Sequence, residues 1–160
     1  MSADIWNNIR FGEVSAINYA LARVKVTFEE LDITSDWLPV VQRGAGGAKD
    51  YWLPAIGEHV VCVFYSDGTE EGVVLGSYYS ADAPPPESGS GVFYTAFPDG
   101  SLVKWDNGQL TITALSGATI NADVTIDGDL AVTGDINVTG DVHAANIHAG
   151  IVYYGQLIQE

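Results

Sequence analysis

The chain has 160 residues, 47% hydrophobic and 17% charged, a folding composition with room for one ordinary domain or two small ones. Its formal net charge is −15, from 21 acids against six Lys and Arg, and no Lys or Arg follows Lys104; such a surface repels phosphate backbones and anionic membranes, so nucleic acid is not an expected partner. The longest apolar run, around Val60–Phe64, falls far short of the ~20 residues a spanning helix needs, and with Asp4 early and no basic stretch before an apolar core no secretory signal is expected.

Residues 1–82 read as a small all-β domain. Short, mostly alternating apolar stretches occur at Phe11–Ile17, Leu21–Phe28, Trp37–Val41, Glu58–Phe64 and Gly72–Tyr78, rich in Val, Ile, Tyr and Phe. Asn18-Tyr19 and Asp67-Gly68 read as turns between them. Five short strands fit a closed, OB-like barrel better than an open sheet, because closure removes the edges. Cys62 lies inside Val60-Val61-Cys62-Val63-Phe64 and reads as a small buried hydrophobe; with no second cysteine it has no partner for a disulfide within the chain. His59 reads as strand-borne and structural.

Residues 83–91 are a linker, stiff at Pro84-Pro85-Pro86 and loose through Ser88-Gly89-Ser90-Gly91. Residues 92–117 follow as a three-stranded antiparallel meander. Its strands are Val92–Ala96, Ser101–Trp105 and Gln109–Thr113, joined by Pro98-Asp99-Gly100 and Asp106-Asn107-Gly108, which suit tight turns.

Residues 118–160 carry an internal repeat. Ile126-Asp127-Gly128-Asp129-Leu130-Ala131, Val132-Thr133-Gly134-Asp135-Ile136-Asn137 and Val138-Thr139-Gly140-Asp141-Val142-His143 align with a period of six. Each unit reads as a short strand and a Gly-Asp corner, so Leu130, Val132, Ile136, Val138, Val142 and Ala144 fall on one apolar face. A six-residue rung cannot bury that face alone. The repeat is too short to close a single-chain β-helix, whereas three chains wound together would supply three units per turn. A trimeric β-helix needle is therefore expected. The corner aspartates read as a solvated surface that resists aggregation rather than as a Ca²⁺ site.

In this order the motifs resemble one family over nearly the whole length. They are Trp37-Leu38-Pro39-Val40-Val41-Gln42-Arg43, Lys49-Asp50-Tyr51-Trp52-Leu53-Pro54, Gly57-Glu58-His59-Val60-Val61 and Glu71-Gly72-Val73-Val74-Leu75-Gly76-Ser77-Tyr78-Tyr79-Ser80. The exit through Ala83–Pro86, Asp99-Gly100-Ser101 and the Gly-Asp repeats completes the series. The chain resembles the phage baseplate assembly protein V family, the central spikes of contractile tails and tailocins. The resemblance implies an OB-like domain docked on the tail hub in the virion baseplate, assembled in the host cytoplasm. It also implies a homotrimeric needle driven through the host outer membrane when the sheath contracts. Trp37, Tyr51 and Trp52 read equally as core residues or as anchors to the hub.

Many family members end in a close His-x-His pair, so that three chains offer six imidazoles to an apical iron ion. Here His143 and His148 stand four residues apart, which leaves that site in question. If strands keep step, His148 is equivalent to Leu130, Ile136 and Val142, and three copies would meet on the axis, where iron or another transition metal would find three imidazoles. If Asn146-Ile147-His148 repeats Asp141-Val142-His143 at a spacing of five, Ile147 turns inward and His148 outward. In either register, the apolar tail Ile151–Glu160 forms the apex itself or docks a separate tip protein. No catalytic residue is assigned: no Asp/Glu pair, Ser-His-Asp or Cys-His grouping has a recognisable local context, so an enzyme is not expected. The rival reading is a trimeric carbohydrate- or receptor-binding tail fibre module.

Overall fold

Val24, Val26 and Phe28 alternate with Arg23, Lys25 and Thr27, and this period of two sends the apolar set of one strand into a common interior. The computed structural model describes residues 8–65 and 71–146. Six strands build the first sheet: β1 (Ile9–Asn18), β2 (Arg23–Phe28), β3 (Ile33–Thr34), β4 (Leu38–Pro39), β5 (His59–Phe64) and β6 (Gly72–Ser77). The order is β3-β2-β1-β5-β6, all antiparallel, with β4 also pairing β2. Val40 makes a parallel bridge to Val74 and the Val41 amide donates to the Val74 carbonyl at 2.9 Å, so the chain after β4 returns to β6 and closes the barrel. Bulges between Val14 and Ala16 on β1, and at Val61/Cys62 where β5 meets β6, supply the sharp strand curvature that closure requires.

The interior holds Val14, Val24, Val26, Phe28, Leu38, Val40, Val60, Cys62, Phe64 and Val74. Cys62 is a core hydrophobe, as its neighbours in sequence imply, and burial pushes its thiol up to about 12. The thiolate that alkylating reagents need is therefore scarce and shielded. Native protein should not react with iodoacetamide at neutral pH, and the same thiol should label fully in urea; mass spectrometry reads both states.

Three details depart from the sequence reading. The stretch Trp37–Val41 pairs only briefly, because Pro39 has no amide to extend the ladder. The second strand starts at Arg23 rather than Leu21, since residues 19–22 form the turn, in which the Asn18 side chain accepts from the Leu21 amide at 3.2 Å. A 3₁₀ turn, Glu29–Leu31, separates β2 from β3 and ends on Asp32 in the left-handed region. The expected turn at Asp67-Gly68 lies outside the described residues.

Ser35 is the one buried polar residue recorded in the described barrel. Its hydroxyl accepts from the Val26 amide at 2.9 Å and donates to the Asp36 carbonyl at 2.8 Å, while its own amide donates to the Val26 carbonyl at 2.8 Å. One side chain thus completes the ladder where β3 leaves β2. Ser35→Ala strands the buried Val26 amide, so urea unfolding should show a loss of about 1–3 kcal/mol. Ser35→Thr should retain most of the stability, because it keeps the hydroxyl.

The meander appears as β7 (Val92–Ala96), β8 (Leu102–Asp106) and β9 (Gln109–Thr113), an antiparallel sheet in that order. Asn107 and Gly108, with φ of 46° and 101°, make the β8–β9 turn that the Asn-Gly pair implies. The chain divides into two compact units, Met1–Leu115 and Ser116–Glu160. The proline-rich segment lies within the first and is tied to it: Lys104 Nζ donates to Glu87 Oε1 at 2.7 Å, and the Asn107 amide to the Gly91 carbonyl at 3.2 Å.

In the second unit, bends recur at residues 127–128, 133–134 and 139–140, so the six-residue period of the sequence is a period of the backbone. Between the bends no strand is assigned among the described residues, and every residue from 114 to 146 is exposed. The short strands expected there are not formed in the single chain. A strand needs a hydrogen-bonding neighbour, and a lone extended ribbon has none.

Candidate functional site

The family-like motifs of the barrel converge on the loop between β4 and β5. Gln42 holds Trp52 with both ends of its amide: Oε1 accepts from the Trp52 amide at 2.9 Å and Nε2 donates to the Trp52 carbonyl at 2.7 Å. The side chain thus does what an adjacent strand would do. Arg43 Nε donates to Asp50 Oδ2 at 2.6 Å, the Asp50 amide donates to the Gly44 carbonyl at 2.8 Å, and Ala45 bridges Lys49, so the loop folds as a small hairpin. The Arg43 hydrogen bond holds the Asp50 carboxyl below the usual carboxylate range. Tyr51 Oη donates to the Tyr19 carbonyl at 3.1 Å.

This bracing presents aromatics outward. Tyr51 and Trp52 are exposed, together with Val41 and Ile56. Trp37 is half-buried, with Lys25 Nζ 5.4 Å from its ring centroid. None of the three belongs to the core. A rigid loop that displays large rings has the character of an anchor surface.

A second surface lies over β1. Ile9, Phe11, Leu31, His59 and Tyr78 line an open groove. Phe11 meets Tyr78 edge-on at 5.6 Å between centroids, and His59 lies 5.6 Å from the same ring. His59 Nδ1 is 3.7 Å from Glu13 Oε1. Glu13, Glu29 and Glu30 edge the groove. The structure places His59 on β5, as the sequence implies, in aromatic packing at the barrel surface. The groove itself went unread, although β5 is apolar at nearly every position, the sign of a strand with both faces to cover.

Among the described residues, no group of three or more His, Cys, Asp or Glu is placed to hold a metal ion. His148 and the stretch Ile151–Ile158 lie outside the described residues, while His143 is exposed. Leu130, Ile136 and Val142 are 64–67% exposed in the single chain, a column of large apolar side chains with nothing over it.

A small closed barrel with a braced aromatic loop, followed by a periodic ribbon, defines an all-β chain that displays large rings at its surface. Residues 10–79 match the family model of the type VI secretion system/phage-baseplate injector OB domain, so the N-terminal domain is of OB type, and over those residues the resemblance read from the motifs holds. The chain is also similar to the spike protein of Escherichia phage P2, 26% identical over 118 residues. That match covers 72% of this chain and 55% of the relative, so the chain spans about half the length of the protein it matches.

Proposed function

We propose that this chain is the central spike of a contractile tail baseplate, a non-enzymatic homotrimer whose C-terminal β-helical needle pierces the host outer membrane on sheath contraction. The observation that carries this reading is the six-residue backbone period beyond an injector OB domain, with its apolar column bare in the single chain. Three such ribbons pair their strands with one another and enclose the column. Gly134 and Gly140 support this. In the single chain neither has a left-handed φ and an added Cβ would meet nothing within 4 Å, so both corners leave room for the close approach of another chain. The braced loop bearing Tyr51 and Trp52 serves as the contact with the tail hub.

Position within the particle tests the reading. Gold-labelled antibody to the barrel, viewed on intact particles by electron microscopy, should mark one locus on the tail axis. Labels at several peripheral points would overturn it in favour of a receptor-binding fibre.

A further inference from the structure

Strand β1 is paired along only part of one side. Toward β5 its ladder runs from Ile9 opposite Val63 to Glu13 opposite His59. Toward β2 the ladder starts at Glu13, opposite Thr27. The two strands touch there, where an added Cβ on Gly12 would stand 2.5 Å from the Thr27 carbonyl oxygen. They then part, because the chain leaves β2 after Phe28 in the turn Glu29–Leu31. Residues along an antiparallel strand bond alternately to one side and the other. The Val14 amide donates to the Glu58 carbonyl at 3.1 Å, and the Val14 carbonyl accepts from the Gly57 amide at 2.8 Å. Val14, Gly12 and Arg10 therefore turn their backbone polar groups toward β5. Ile9 and Phe11 turn theirs the other way, into a gap where no described strand meets them.

That gap is part of the groove lined by Phe11, Leu31 and Tyr78. Phe11 and Leu31 are 61% and 53% exposed, so the apolar lining is uncovered. Glu13, Glu29 and Glu30 edge it. Arg10 also lines it, but its guanidinium lies over the Phe28 and Phe64 rings, 5.9 and 5.1 Å from their centroids.

We propose that this gap is a strand-addition site for a basic, extended segment of a different protein. The segment pairs its backbone with Ile9 and Phe11, packs apolar side chains on Phe11, Leu31 and Tyr78, and sets Lys or Arg beside the glutamates. The open strand edge selects an extended occupant, since the backbone groups of a helix are already paired with one another. Charge selects the partner. Carboxylates at the rim favour basic side chains and disfavour both nucleic acid and a second copy of a chain that carries −15. The site is separate from the braced loop bearing Tyr51 and Trp52, and it does not depend on how many chains assemble.

The full chain and two capped heptapeptides, one of alternating lysine and valine and one of alternating glutamate and valine, provide the test. The lysine peptide should bind with saturation and slow hydrogen exchange at the Phe11 amide at least about tenfold, and the glutamate peptide should do neither. Joint Glu29→Lys and Glu30→Lys substitution should weaken binding at least about tenfold. Phe11→Pro and Phe11→Ala separate backbone from ring. Both lose the ring, but only proline loses the amide that faces the gap, a change that an unpaired edge tolerates. The proline variant should bind at least about tenfold more weakly than the alanine variant, with similar urea unfolding. Exchange at Phe11 in the unaltered chain decides the matter even if proline destabilises the barrel. No binding of the lysine peptide, equal binding of both peptides, or binding that leaves exchange at Phe11 unchanged would overturn the proposal. So would a Phe11 amide already slow to exchange without peptide, which would assign the gap to this chain itself or to a second copy.

Discussion

Replacing Ile136 with Asp is expected to break the proposed trimer into single chains. Ile136 stands in the middle of the repeat, with Leu130 one period before it and Val142 one period after, and it is 67% exposed when the chain is alone. In a three-chain helix the same side chain meets its two copies on the axis. An Asp there removes apolar contact from every chain and sets three carboxylates together away from water. Leaving an uncompensated charge buried costs about 3–5 kcal/mol for each chain. The trimer has little with which to resist, since each chain already carries −15. Sedimentation equilibrium at micromolar concentration should show monomer. Thr133→Asp, on the opposite face of the ribbon, should leave the trimer intact. Raising the salt should tighten the unaltered trimer, because screening weakens repulsion among its exposed aspartates. A trimer unchanged by Ile136→Asp would place that column outside the interior.

The barrel was legible where strand alternation and burial coincide. Val24, Val26 and Phe28, or Val60, Cys62 and Phe64, announce an inward face by their spacing alone, and both sets are buried. The order of motifs also pointed to the family that residues 10–79 match. What stayed hidden depends on partners distant in sequence. Ser35 looks like a turn residue until the Val26 amide, nine positions away, is seen bonded to it. Gln42 and Trp52 are a motif on paper, but their reciprocal hydrogen bonds exist only once the loop folds. The turn Glu29–Leu31 has no periodicity to betray it. The linker read as stiff at its prolines and loose from Ser88 to Gly91, and the pairing of Glu87 with Lys104, seventeen residues on, is what ties it down between the two. The repeat was plain as a pattern, yet among the described residues of the single chain it forms bends and no strand.

Phe64→Ala should be the most damaging single substitution within the barrel, lowering its stability by about 3–5 kcal/mol, in the range for truncating a buried aromatic. Phe64 is wholly enclosed. Its ring meets Phe28 edge-on at 5.8 Å between centroids, and the Arg10 guanidinium lies 5.1 Å from its centre. The opposite position on β6 is Gly72, and the absence of a side chain there makes room for the ring. A Cβ on Gly72 would stand 2.6 Å from Phe64 Cδ1 and 2.6 Å from the Val63 carbonyl oxygen. The first contact is with a side chain that can be removed, the second with backbone that cannot. Gly72→Ala should therefore cost about 1–3 kcal/mol as an overpacked core site. In the Phe64→Ala background the penalty should shrink but not vanish, because the carbonyl stays where it is. A double-mutant cycle by urea unfolding isolates the shared part, with a coupling of about 0.5–3 kcal/mol expected for residues in contact. Strict additivity would mean that the glycine is required by the backbone alone; full cancellation would mean that the ring alone requires it. The intermediate value is the one that the two equal 2.6 Å contacts dictate.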